Sequence, residues 1–363
     1  MSKLERLGSL DLTWLQIERD TNLMHVVGVL LLETPLDRQR LEERLQTRLL
    51  RLERFGQHVL RDSAGAVWES GPVDLNAHIV ELTLPAGDER AALEASVGEL
   101  AARPLDPTRP LWQLHLVRHY RQGSALIVRI HHCIADGIAL FSVLRSLTDA
   151  GPDDETPPQA PTGDHPDNFF EQLCAPLTRG MIESIKISGA FWARYLSLML
   201  NPQQVFDYAR ASAALALEIG KLTGLQDDSL TFLKGQPQGV KRVSWSTPLP
   251  EDAVQELADN TGTTTDAVLL ACLSGALHDH LRNQGAATAG VELRTLMPVN
   301  LRNAEADDPL GNRSGLMLIE LPVGIADPCE RLAETHRRVD VFAKAYDTQR
   351  ALGIFSLIGQ TPK

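Results

Sequence analysis

The run Ala125-Leu126-Ile127-Val128-Arg129-Ile130 most constrains what this chain can fold into. It is short, rich in β-branched residues and almost continuously apolar, the pattern of a strand covered on most of both faces. Such a strand needs a layer of structure on each side of its sheet. Directly after it stand His131-His132-Cys133-Ile134-Ala135-Asp136-Gly137. Ile138, Phe141, Leu144 and Leu147 then follow at helical spacing, with Asp136 placed to accept backbone N–H bonds as an N-cap. The junction reads as a strand end, a tight turn and a helix start, where side chains stand at the rim of a rigid scaffold.

Adjacent residues on a strand point to opposite faces, so His131 and His132 cannot easily converge on one metal ion. No HExxH, CxxC or HxH companion lies nearby. Two readings of the pair remain. Both are core histidines with satisfied hydrogen bonds, or one faces a cavity as a general base while the other packs behind it, since an imidazole titrates near neutral pH.

With 363 residues, 43% hydrophobic and 23% charged, the chain can build two domains with substantial cores and is neither disordered nor fibrous. A formal charge of −12 argues against nucleic acid as the main partner, because phosphate binding needs a basic face. Cys133, Cys174, Cys272 and Cys329 share no ligand-like spacing, so neither a disulfide framework nor a zinc site is suggested and a reducing cytoplasm fits. The first residues lack the basic start and apolar core of a signal peptide. No apolar run reaches the roughly 18 residues of a membrane span, so any membrane is met from one side.

Strands and helices alternate. Residues 9–33 read as a short helix and a strand, 36–52 as an amphipathic helix, 67–69 and 78–82 as strands, 89–100 as a helix and 113–117 as a strand. Residues 151–168 form a proline-rich acidic linker, and 169–225 read as helices. Among these, 182–200 reads as a bridge, because its basic charge is too sparse for strong attraction to anionic lipid. From Val240 a second pattern begins: a strand at 243–245, helices at 250–261 and 264–282, a strand at 316–321 and a helix at 328–346. This divides the chain into a first domain over 1–150, linker and bridging helices over 151–235, and a second domain over 236–363. The fold class is α/β in the layered α+β sense.

His131, His132, Asp136 and Gly137 form the pattern HHxxxDG. It resembles the active-site motif of the CoA-dependent acyltransferase superfamily, which includes chloramphenicol acetyltransferases, carnitine acyltransferases and peptide-synthetase condensation domains. The segment from Arg103-Pro104-Leu105-Asp106 to Arg109-Pro110-Leu111-Trp112 resembles the PLDxxRPLW stretch of the bacterial wax ester synthase/diacylglycerol acyltransferase family. Leu10-Asp11, Trp14-Leu15 and Met24-His25-Val26 with Gly28 stand where that family has LSPLDxxFL and MHVxG. Thr265-Asp266 resembles its Asn-Asp pair, with threonine replacing asparagine, and Leu310-Gly311-Asn312 resembles its LGN segment. Members usually continue for about another hundred residues through an NVPGP-like motif absent here, so the second domain is expected to lack its final segment.

The resemblance implies two chloramphenicol-acetyltransferase-like domains with a tunnel between them. It implies long-chain acyl transfer from acyl-CoA to diacylglycerol or a fatty alcohol, with His132 as general base, His131 supporting it, Asp136 holding the turn and Gly137 permitting close approach. Pro110, Leu111, Trp112, Asp266, Gly311 and Asn312 are the implied substrate-binding residues, although Pro110 and Trp112 by themselves suit a strand entry and a packed core. No cofactor is implied, since acyl-CoA is a substrate. The partners are acyl-CoA and an apolar alcohol, with peripheral contact to a membrane or lipid droplet allowed and no nucleic acid. The implied location is the cytoplasm, on the inner membrane face or lipid inclusions. Two alternatives stay open: a condensation-type transferase using a carrier-protein thioester, and a truncated, non-catalytic acyl- or lipid-binding protein.

Overall fold

The computed structural model describes residues 4–62, 65–148, 228–236, 238–300 and 314–345. The expected linker and bridging helices, Cys174, Gly311, Asn312 and residues 346–363 lie outside these.

The first half opens with β1 (Leu4–Arg6), α1 (Ser9–Ile17), β2 (His25–Leu32) and α2 (Arg38–Thr47). Next come β3 (Gln57–Asp62), β4 (Gly65–Ser70), α3 (Leu75–His78), β5 (Ile79–Glu81) and α4 (Glu89–Ala101). It ends with β6 (Trp112–Tyr120), β7 (Gly123–His131) and α5 (Gly137–Ser146). Two sheets result: β1-β4-β3, and β2-β7-β6-β5. The second is antiparallel except that β5 runs parallel to β6.

All nine residues of β7 are buried, as the apolar run predicts. Alternation splits its side chains between two cores. Leu126, Val128 and Ile130 join α5, α2 and the small sheet through Leu140, Val143, Leu45 and Trp68. Ala125 and Ile127 face Leu93, Val97 and Leu100 of α4. A Cβ at Gly123 would lie 1.9 Å from the Leu32 carbonyl oxygen, so only glycine allows the β6–β7 hairpin to close against the end of β2.

The motif helix is phased differently from the predicted stripe. Leu140 and Val143 are buried and Leu144 and Leu147 half-buried, at i, i+3, i+4 and i+7, whereas Phe141 is 69% exposed. The cause is close packing on β2, where a Cβ at Gly28 would touch Leu144 Cδ1 at 3.6 Å. Arg48, at the end of α2, donates to the carbonyls of Ser146 and Thr148 and so satisfies the open end of α5. His78, predicted as the start of a strand, instead ends α3, its ring held by Nδ1 against the Trp112 carbonyl at 2.7 Å.

In the second half, α6 (Glu251–Thr261) and α7 (Thr265–Asn283) lead to the antiparallel pair β8 (Leu293–Asn300) and β9 (Ser314–Leu321), followed by α8 (Pro328–Ala345). The predicted strand at 243–245 joins no ladder among the described residues. It packs across α4 instead. Val243 and Trp245 cover the α4 core, Arg90 donates to the Trp245 carbonyl, and Lys241 donates to the Thr21 carbonyl at 2.8 Å. Its backbone comes so close that a Cβ at Gly98 would lie 2.6 Å from the Lys241 oxygen. No helix among the described residues is long and apolar enough to cross a membrane.

Candidate active site

The two motif histidines leave β7 tied to both neighbours. His131 N–H donates to the Leu111 carbonyl at 2.9 Å, and His132 N–H to the Met24 carbonyl at 2.8 Å. Ile134 N–H then returns to the His131 carbonyl at 3.0 Å, closing a turn. Asp136, 4% exposed, caps α5 by accepting from Ala139 N–H at 2.9 Å.

The rings diverge. His131 is 2% exposed, and its Nδ1 accepts the Cys133 N–H at 3.0 Å. An accepting Nδ1 carries no proton, so the proton sits on Nε2, which faces Glu18 Oε1 at 3.4 Å. His132 is half-buried and stacks on Trp14 with ring centroids 4.4 Å apart and 17° between planes. Trp14 and Glu18 both come from α1 and its C-terminal residue. Glu18 also accepts Met24 N–H at 3.2 Å, so one carboxylate holds both His131 and the peptide that carries His132.

Burial lowers the pKa of His132, reinforced by the His131 ring and opposed by Asp136 and the Ala135 backbone. His132, the less buried ring of the pair, stays neutral near pH 7. His25, paired across the strands with His131, is pushed down to about 4 by burial and then by Arg129. Burial works to raise the Glu18 carboxyl, but the His131 hydrogen bond, His131, Met24 N–H and His25 outweigh it and leave it lowered. The buried Cys133 thiol is pushed well up, which keeps it protonated and unreactive.

The other predicted residues take varied places. Trp112 is 2% exposed in the core, donates Nε1–H to the Phe55 carbonyl at 2.9 Å and stacks on His78 at 4.0 Å. Leu111 is buried, and Pro110 is half-buried with its carbonyl accepting Trp112 N–H. This segment thus anchors the backbone that holds His131. Gly137 is exposed, and a Cβ there would meet no atom within 4 Å, so no approach of described chain requires glycine. Asp266 is exposed in the first turn of α7, whose cap is Thr264 accepting from Ala267 N–H at 3.2 Å. Among the described residues, no three His, Cys, Asp or Glu side chains cluster as a metal ion needs.

Sequence reasoning did not single out Glu18. A signal was available, since a carboxylate at a helix C-terminus opposes the helix dipole and so calls for another partner.

The family described as wax ester synthase/diacylglycerol acyltransferase catalytic domain matches residues 7–269. A Mycobacterium tuberculosis protein named as a probable diacylglycerol O-acyltransferase is 27% identical over 349 residues, covering 93% of this chain and 70% of its own. The fold is similar to that of the wax ester synthase/diacylglycerol acyltransferase from Marinobacter aquaeolei VT8, with TM-score 0.61 and 20% identity over 98% of this chain and 78% of that one. It is also similar to the first condensation domain of the calcium-dependent antibiotic synthetase, with TM-score 0.60 and 16% identity over 96% of this chain and 76% of that one.

Proposed function

The chain belongs to the wax ester synthase/diacylglycerol acyltransferase family, and from that premise we propose that it moves a long-chain acyl group from acyl-CoA to an apolar alcohol, with His132 as general base. The chemistry needs one neutral imidazole at the substrate. His132 takes the hydroxyl proton as the alcohol oxygen forms its bond to the thioester carbonyl carbon. The C–S bond then breaks and the thiolate takes the proton back, leaving an ester and CoA thiol. No acyl-enzyme is needed, since the adjacent Cys133 is buried and its thiol held protonated.

The observation that carries this reading is the division of the pair: His131 locked by Glu18 and Cys133 N–H, and His132 left half-buried with a lowered pKa. The acceptor is a diacylglycerol, giving triacylglycerol, or a long-chain fatty alcohol, giving a wax ester. The acyl-CoA enters a tunnel between two domains opposite the acceptor. Both substrates partition into lipid, so the cytoplasmic protein meets them at a membrane face or lipid inclusion. The RPLW stretch and the family match favour CoA over a carrier protein as the thioester donor.

The test incubates purified protein with a long-chain acyl-CoA and follows thiol release with diacylglycerol, with hexadecanol, or with neither. Alcohol-dependent thiol release matched by ester formation supports the reading. Thiol release that ignores the alcohol, or none with either acceptor, contradicts it.

A further inference from the structure

We propose that Trp14 is a positioning residue that stabilises His132 selectively as imidazolium, through the face of its indole. The inference rests on His132 being the general base. In that mechanism the ring is neutral before reaction and cationic only while it holds the alcohol's proton. An interaction stronger with the cation therefore acts at the transition state and accelerates the chemical step instead of tightening substrate binding.

The geometry suits this role. The rings lie nearly parallel with centroids 4.4 Å apart, so the imidazole sits over the negative face of the indole. Indole gives the strongest such attraction among aromatic side chains. The ring is held in place: its neighbours Thr13 and Leu15 are buried, Trp14 itself packs on the main core, and Arg61 donates to the Leu15 carbonyl at 3.3 Å. The surroundings make such help useful. His132 is faced by His131 beside it, by Ala135 and Asp136 across the turn, and by Trp14 from α1, with Glu18 and His25 behind His131. Burial and His131 oppose the cation, and Asp136, which favours it, already uses Oδ1 to cap α5. An aromatic face adds negative potential without bringing water into the site. In this chain the position carries tryptophan where the resemblance places phenylalanine.

A stacked ring could equally serve as packing, so the test separates the two. Tryptophans bearing increasing numbers of fluorines are inserted at position 14 alone, since fluorine drains the π face while barely changing the ring's size. The expected result is a stepwise fall in kcat across the series, roughly 3- to 30-fold in total, with little change in KM. The acid-limb pKa of kcat/KM falls in the same order. Trp14→Phe shows a partial loss and Trp14→Leu a larger one. A flat kcat across the fluorinated series overturns the proposal, even if Trp14→Leu is impaired. His132→Ala, assayed in parallel, tests the premise: wild-type turnover there removes the base assignment, whereas loss there with a flat fluorine series removes the role of Trp14 alone.

Discussion

At the scale of residues, Glu18 joins three parts of the site: the His131 ring, the Met24 peptide and, through Met24, the backbone of His132. Glu18→Ala leaves the part-buried Met24 N–H without its acceptor and removes the carboxylate that faces His131 Nε2 at 3.4 Å, and a buried donor left unsatisfied costs about 1–3 kcal/mol. The expected outcome is a fall in kcat of about tenfold or more. Glu18→Gln keeps an accepting oxygen and is expected to stay within a few-fold of wild type. Parallel steady-state assays check both, and equal loss in the two variants would mean that charge, not hydrogen bonding, is what matters. The lowered pKa of His132 has its own consequence. The base is neutral above its pKa, so the acid limb of kcat/KM is expected to bend below the ordinary histidine value of 6.5. A bend above 6.5 would contradict the burial argument.

At the scale of elements, β7 decides both fold and site, because its buried run ends in the motif and its flanks share two cores. Gly123→Ala forces a Cβ against the Leu32 carbonyl and is expected to cost about 3 kcal/mol, read as a lower urea midpoint. His115 on β6 gives the sheet a pH dependence. Burial, then Arg129 and Arg103, push it to about 4, so between pH 6.5 and 4 the unfolded chain binds a proton that the folded one does not. Its contribution to stability is therefore full above 6.5 and lost as pH falls toward 4. His115→Gln is expected to lose less stability than wild type between pH 7 and 5, and identical losses would sink this assignment. Several of these elements were legible in the sequence. The β7 run, the Asp136 cap and the helices at 89–100 and 264–282 follow from local periodicity and capping, which need no knowledge of distant chain. What escaped was tertiary. Phe141 fits the helical period yet faces outward, because the neighbouring face of α5, carrying Leu140, Val143 and Leu144, is the one that packs on the core. Glu18 reaches His131 only once β2 has folded back along β7.

At the scale of the whole molecule, residues 241–245 tie the second half of the chain to the first by lying across α4. Gly98→Val would push that segment away, and the expected readout is a red shift of Trp245 emission together with reduced activity. An unchanged spectrum and full activity would show that the contact holds nothing in place. The sequence reading treated 243–245 as a strand because its alternation matches one, and no local rule could say that its partner is a helix face instead of a sheet edge. The account as a whole stands on one proton transfer made by His132. Its most direct test compares thiol release from a long-chain acyl-CoA plus acceptor alcohol by wild type and His132→Ala, with folding of both checked by circular dichroism. The account expects a folded variant slower by roughly 10²- to 10⁴-fold. Turnover by His132→Ala equal to wild type would contradict it.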